Sequence, residues 1–498
     1  MKIKVHVSRF NKDTDEKPYI ETYEIEKTPQ MKVLEALNLI NEEYDANLSF
    51  RSSCRAGQCG SCAVRINGNP GLACKKEIAN ETTIQPLKLP VIKDLIVDRS
   101  SIENKVNDMD LHLETNDPEE LMKPEEMEDT LKVRSCIECY SCLTACPVYQ
   151  NFQEDFAGPY FMRYISKFEF DPRELKNRLK EGFENGLYDC TSCGKCGAVC
   201  PKDINSFGDA VEKLRAIAYS EDEGPLEAHK KIKKMVEETG RSVTHPEKEG
   251  FIESYNKNKK QTKEKSKVAL FTGCMVDYRL QHVGEAVMDV FKANGINVDV
   301  PENQVCCGSP LLRTGQRDAV QALADKNKEV FKDYDTVITI CAGCGATLKN
   351  DHPNFGNKLN VMDISEFLID KLDTSKMKPL DMKVTWHDPC HLGRGQGIKD
   401  QPREIIDMIP GVEFEEMEFP CQCCGAGGGV KSARPEIALE LSKNKAQMIK
   451  ETGADNFITI CPFCQSNIKD GLEAINETEI NGMNLVELLK LTYSEEKE

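Results

Sequence analysis

Cysteine spacing constrains this chain more than any other feature. Twenty-three cysteines occur among 498 residues, and nearly all of them fall in closely spaced groups that recur. Disulfide scaffolds that use cysteine this heavily are short and carry a secretory signal. This chain is long. Its N-terminus, MKIKVHVSRFNKDTDEK, alternates apolar with polar residues and lacks a signal-like apolar core. The thiols are therefore expected to be metal ligands in a reducing, cytoplasmic setting. A formal net charge of −18 argues against a nucleic-acid partner. No apolar run reaches the roughly 18 residues of a membrane span. The length suggests about three or four domains.

Residues 1–97 read as a small β-rich domain. Lys2–Ser8 and Ile20–Glu26 alternate like strands, and Val33, Leu34, Leu37 and Ile40 recur at helical spacing within Met31–Tyr44. Residues 98–218 read as helical around two cysteine groups, after an acidic stretch to 131 that wraps a surface. Residues 219–267 are rich in Lys and Glu and read as a charged linker with one solvated helix. Residues 268–375 and 376–498 form an internal repeat: DTVITICAGCGATLKN (335–350) matches DNFITICPFCQSNIKD (455–470). Strand, loop and helix alternate in each copy, which predicts α/β units with parallel sheets and cysteines at the strand ends. The fold class is multidomain α+β.

Cys54, Cys59, Cys62 and Cys74 have the plant-type [2Fe–2S] spacing, in which a tight loop brings three thiolates together. Gly57 and Gly60 let the backbone fold closely there. Structural zinc instead prefers two separated Cys-x2–4-Cys knuckles. Two further runs, Cys136, Cys139, Cys142, Cys146 and Cys190, Cys193, Cys196, Cys200, each precede a proline. They have the bacterial ferredoxin pattern, whose fourth cysteine serves the other cluster. One [4Fe–4S] thus falls to Cys136, Cys139, Cys142 and Cys200, and a second to Cys146, Cys190, Cys193 and Cys196.

Each repeat copy carries five cysteines: Cys274, Cys306, Cys307, Cys341 and Cys344, then Cys390, Cys423, Cys424, Cys461 and Cys464. Five thiols exceed the needs of one cubane or one zinc. Adjacent cysteines suit neighbouring irons of an opened cluster better than opposite corners of a cube. A redox disulfide in each copy is the chemical alternative, but it leaves three cysteines per copy without a role.

The motifs LSFRSSCRAGQCGSCAVRINGNPGLAC, LPVIKDLIVD, CIECYSCLTACP, FAGPYF and CTSCGKCGAVCPKDIN make residues 1–217 resemble the iron–sulfur subunit of succinate dehydrogenase and fumarate reductase. The resemblance implies a β-grasp [2Fe–2S] ferredoxin domain over 1–97 and a helical two-cluster domain over 98–218. It also implies a partner subunit with FAD, nearest the [2Fe–2S] cluster. That family usually lacks the second cysteine of the second run. Here Cys193 fills that place, so a full [4Fe–4S] is expected.

The motifs GCMVDY, CCGSP, CAGC, DPCHLGR, CCGAGGG and CPFC make the repeat resemble the cysteine-rich catalytic subunit of heterodisulfide reductase. There each five-cysteine set holds a noncubane [4Fe–4S] cluster, with a thiol/disulfide substrate between the two. The fusion of both halves resembles the thiol:fumarate reductases of methanogenic archaea. By that resemblance, coenzyme M and coenzyme B thiols are oxidised to the heterodisulfide. Electrons pass through the [4Fe–4S] and [2Fe–2S] clusters to a FAD-containing fumarate reductase subunit, which turns fumarate into succinate. An iron–sulfur subunit of a succinate:quinone or fumarate:quinol oxidoreductase, a non-catalytic electron relay and a zinc-binding interaction protein are the rival readings.

His387 and His391 flank Cys390 and are candidate proton donors to a sulfur, against a structural hydrogen bond to the loop. Lys431 and Arg394 are candidate anion binders, against solvated surface charges. Cys421 reads as a buried spare. Gly425–Gly429 nearly matches a phosphate loop, but Val430 stands where that loop needs glycine, so these glycines read as allowing close backbone approach. Gly393–Gly397 lacks the dinucleotide fingerprint. No flavin or nicotinamide site is expected.

Overall fold

The computed structural model describes residues 1–109, 111–117, 119–258 and 266–493. Two compact units result: Met1–Cys190 with Gly194–Leu214, and Thr191–Cys193 with Arg215–Glu498.

In the first unit, β1 (Lys2–Arg9) and β2 (Tyr19–Glu26) form an antiparallel hairpin, with Lys2 opposite Glu26. β3 (Ala63–Ile66), β4 (Asn69–Leu72) and β5 (Glu81–Gln85) complete a sheet of order β2-β1-β5-β3-β4, in which β5 runs parallel to β1. The alternation in β1 buries Ile3, Val5 and Val7 on one face. They pack in one core with Val33, Leu34, Leu37 and Ile40 of the helix Val33–Tyr44. A two-stranded ribbon of β6 (Val91–Lys93) and β7 (Ile96–Val97) follows. The rest of this unit is helical. Its helix Pro159–Glu169 buries Tyr160, Phe161, Met162, Ile165 and Phe168. The acidic stretch does lie along the surface: Leu175 N–H donates to Glu114 O, and Arg173 Nη1 to Glu120 O.

The second unit contains two parallel sheets. β8 (Val268–Phe271), β9 (Thr336–Thr339) and β10 (Val361–Asp363) give the order β10-β9-β8. β11 (Met382–Trp386), β12 (Val412–Phe414), β13 (Asn456–Thr459) and β14 (Asn481–Asn484) give β12-β11-β13-β14. An isolated parallel bridge from Ala269 to Asp299 stands where β12 stands in the other copy. The topologies therefore match strand for strand, as the repeat predicts.

The copies are not separate bodies. One core runs through Leu270, Ile338 and Ile340 of the first and Trp386, Phe457 and Ile458 of the second. The last helix, Leu485–Tyr493, packs on Gln281–Ala293 of the first copy, with Lys490 Nζ 2.8 Å from Asp289.

Of the charged stretch 219–267, residues 259–265 lie outside the described residues, and the described part departs from the linker expected of its composition. Helices Glu227–Thr239 and Phe251–Asn258 lie within it. Both belong to the second unit and bury His229, Val236, Phe251 and Ile252. Few apolar residues suffice because His229, Ile232 and Val236 share one helical face. The backbone beyond the first helix is tied in: Cys306 N–H donates to Gly240 O at 2.8 Å, and Arg241 pairs with buried Asp277. Lys and Glu occupy the outer faces and mask this pattern.

Candidate functional site

In the first unit, the loop bearing Cys54 and Cys59 is exposed, while Cys62 and Cys74 are buried against the sheet. Ala56 and Gln58 turn their amides onto Cys54 Sγ at 3.4 and 3.2 Å. Hydrogen bonds from Ser61 and then Cys54 draw the Cys59 thiol down to about 6. Gly60 has φ +70°, and a Cβ there would meet Ile137 O at 2.6 Å. Only glycine allows the first ferredoxin run to approach this loop so closely.

That run closes a second site. Cys136, Cys139, Cys142 and Cys200 line one small cavity with Tyr140 and Tyr160. The fourth cysteine of the later run thus lies beside three of the earlier run. Burial and the neighbouring thiols push the Cys142 thiol well up. Of the other set, Cys146, Cys190 and Cys196 belong to the first unit and Cys193 to the second.

In the second unit, all ten repeat cysteines line a single cavity of about 330 Å³. Its construction follows from the strands. β9 and β13 each stop just before a Cys-x-x-Cys, and Cys341 and Cys461 stand one residue ahead of the helices Ala342–Ala346 and Pro462–Ala474. β8 and β11 point toward Cys274 and Cys390. The cavity thus lies at the carboxyl ends of both sheets, where open α/β sheets present their sites.

The thiols form a nearly continuous series. In the first copy Cys274 meets Cys306, and Cys344 meets both Cys307 and Cys341. In the second, Cys390 meets Cys423, Cys461 meets Cys464, and Cys424 Sγ lies 3.4 Å from Cys464 Sγ. Cys341 also hydrogen-bonds with Cys461, so the copies touch through sulfur. Amides of Gly308 and Gly425 donate to Cys306 and Cys423 Sγ at 3.4 and 3.3 Å. All 23 cysteines are free thiols. Soft, convergent thiolates with amide donors around them suit iron–sulfur centres.

Of the two flanking histidines, His391 lines the cavity and His387 does not. Burial lowers both, His391 to about 4. His391 Nε2 lies 3.1 Å from Ser192 O. His387 shares a close group with Cys424 and Cys464, one ligand atom from each lying within 4.8 Å of the others. Lys431 reaches the cavity while paired with Asp470 at 2.8 Å. Arg394 does not line the cavity; its guanidinium donates to Cys193 O and Cys421 O. Cys421 itself is half-buried, outside the cavity lining.

Sequence reasoning missed Arg313, Ile232, Ser242 and Val243, which also line the cavity. Arg313 is 7% exposed and pairs with Asp351. The glycine run 425–429 admits close contacts from other parts of the chain. A Cβ on Gly427 would meet Thr191 O at 2.5 Å, and one on Gly429 would meet His229 Nε2 at 2.6 Å.

Residues 4–104 match the 2Fe-2S iron-sulfur cluster binding domain, 132–204 the 4Fe-4S dicluster domain, and 268–349 and 384–469 the Cysteine-rich domain. The fumarate reductase iron-sulfur subunit of Mycobacterium tuberculosis is 32% identical over 44% of this chain and 93% of its own length. The D subunit of the dihydromethanophenazine:CoB–CoM heterodisulfide reductase of Methanosarcina acetivorans is 33% identical over 69% of this chain and 90% of its own. The B subunit of the fumarate reductase (CoM/CoB) of Methanothermobacter marburgensis is 56% identical over 99% of this chain and 100% of its own. The chain is an iron–sulfur subunit of an oxidoreductase, in the family of the B subunits of CoM/CoB fumarate reductases, to which it belongs.

Proposed function

We propose that the second unit oxidises coenzyme M and coenzyme B thiols to their heterodisulfide, and that the electrons leave through the first unit to a FAD-containing partner that reduces fumarate. The observation that carries this reading is the shared cavity, where two five-cysteine sets meet at Cys341 and Cys461. Joining two thiols releases two electrons and two protons, and fumarate takes up the same number to become succinate. A duplicated site matches that stoichiometry.

By this reading Cys274, Cys306, Cys307, Cys341 and Cys344 hold one noncubane [4Fe–4S] cluster, and Cys390, Cys423, Cys424, Cys461 and Cys464 the other. The two cubanes take Cys136, Cys139, Cys142 and Cys200, and Cys146, Cys190, Cys193 and Cys196. Cys54, Cys59, Cys62 and Cys74 hold the [2Fe–2S] cluster, and their exposed loop is the natural face for the FAD-containing partner. When bound, the clusters supply one-electron storage and soft iron sites for sulfur. The chain's own residues shape the rest. Arg313 and Lys431 line the cavity wall, each paired with a carboxylate, Asp351 and Asp470. His391 also lines it. No helix among the described residues is long and apolar enough to cross a membrane, and we place the complex in the cytoplasm.

The test is anaerobic purification of the complex, with iron and sulfide assays and electron paramagnetic resonance. Five clusters and thiol-dependent fumarate reduction are expected, the latter only with both thiols and the FAD-containing partner. If both thiols together reduce no centre, the substrate assignment fails.

A further inference from the structure

The repeat register aligns the residue three before the first cysteine of each set: Phe271 before Cys274, His387 before Cys390. Phe271 ends β8 and His387 directly follows β11, and both side chains reach the thiols. Phe271 packs in a core cluster with Cys307, Cys341 and Cys344. His387 is 1% exposed and lies by Cys424 and Cys464. The backbone holds it firmly: its N–H donates to Ile458 O at 2.9 Å, and its carbonyl accepts from Thr459 Oγ1 at 3.3 Å. Both ring nitrogens are buried without a hydrogen-bond partner, and the Cys424 and Cys464 sulfurs lie within 4.8 Å of the ring. Burying such a group without a partner is costly. What the ring meets instead is sulfur.

We infer that His387 is a positioning residue of the second-copy site, donating an imidazole N–H hydrogen bond to Cys424 Sγ and making the cluster held there easier to reduce than its twin. A hydrogen bond to a ligating sulfur withdraws charge from it and raises the reduction potential of the attached cluster. Phe271 is hydrocarbon and cannot donate. The duplicated site is therefore electronically unequal, and the second-copy cluster is the preferred acceptor of the first electron. This inference rests on the cluster reading proposed above.

The test is a redox titration of the purified complex, followed by electron paramagnetic resonance with nitrogen-sensitive pulsed spectra, on the wild type, H387F and H387Q. Cys274→Ser and Cys390→Ser variants assign each signal to its copy. In H387F the reduced-to-oxidised ratio of the second-copy cluster should fall about tenfold at fixed potential, or about 59 mV for one electron. The first-copy cluster should not move. H387Q, which keeps a donor, should fall between. The wild type should show a weak nitrogen coupling that H387F lacks. An unmoved second-copy potential at wild-type iron content overturns the inference, as does the strong coupling of an iron-bound imidazole. Should H387F fail to load iron, absence of nitrogen coupling in the wild type overturns it equally. Iron-free repeat cysteines in the wild type would sink the cluster reading as well, whereas iron with unmoved potentials sinks this inference alone.

Discussion

The two copies of the repeat share strand order, cysteine order and an amide on the first sulfur of each Cys-Cys pair, yet they solve the surrounding problems with different residues. The carbonyl of the second paired cysteine is capped by His352 Nε2 in the first copy, at 2.8 Å from Cys307 O. In the second copy Asn467 Nδ2 does so, at 2.6 Å from Cys424 O. Before Cys274 stands Gly273 at φ +69°, where a Cβ would meet Cys344 Sγ at 3.0 Å. Before Cys390 stands Pro389. The lesson is that the thiol geometry and the buried backbone's hydrogen bonds are what the copies hold in common. Everything that delivers them has been free to diverge.

That equivalence can be broken by experiment. The largest effect is expected from the sulfurs where the copies meet: Cys341→Ala and Cys461→Ala should each abolish thiol-dependent electron entry while leaving the [2Fe–2S] signal intact. Activity surviving in one variant alone would show that a single copy suffices. Next come the core positions four residues before the first cysteines. Trp386 and Leu270 are both fully buried. Trp386→Ala should cost about 3–5 kcal/mol and Leu270→Ala about 2–5 kcal/mol, read from denaturant unfolding. Because the copies share one core, either loss should lower a single cooperative transition of the repeat. Two resolved transitions would divide what the structure joins.

The smallest and most discriminating pair is Gly308→Ala and Gly425→Ala, each just after a Cys-Cys pair. Both glycines have positive φ, so alanine costs about 1–2 kcal/mol at either. At Gly308 the added Cβ meets only Val320 and Leu323 side chains, at 3.2 Å and beyond, but at Gly425 it meets Ala438 O at 2.7 Å. Thermal unfolding should rank Gly425→Ala as the more damaging. Equal losses would mean that the helix Pro435–Glu451 yields more readily than its packing implies.

Much of the site was legible because cysteine spacing along a chain is itself geometry. Cys136 to Cys142 and Cys200 could be grouped from intervals alone, and the structure gathers those four around one cavity. The repeat was legible for the same reason, since DTVITIC and DNFITIC place a thiol at the end of a buried strand. What spacing cannot express is the meeting of elements distant in sequence. The contact of Cys341 with Cys461, the shared core and the commitment of Arg394 to two carbonyls all depend on how whole sheets pack. The stretch 219–267 failed for a different reason. Composition averages over faces, and a helix that buries only His229 and Val236 still reads as charged.

The docking of the final helix on the first copy has a consequence during synthesis. Gln281–Ala293 emerges from the ribosome roughly 200 residues before Leu485–Tyr493, a wait of about 10–40 s at ordinary translation rates. Throughout that interval the first repeat exposes an oily flank and five reactive thiols. Any stall near the carboxyl terminus would strand the earlier repeat as a sticky, oxidation-prone fragment.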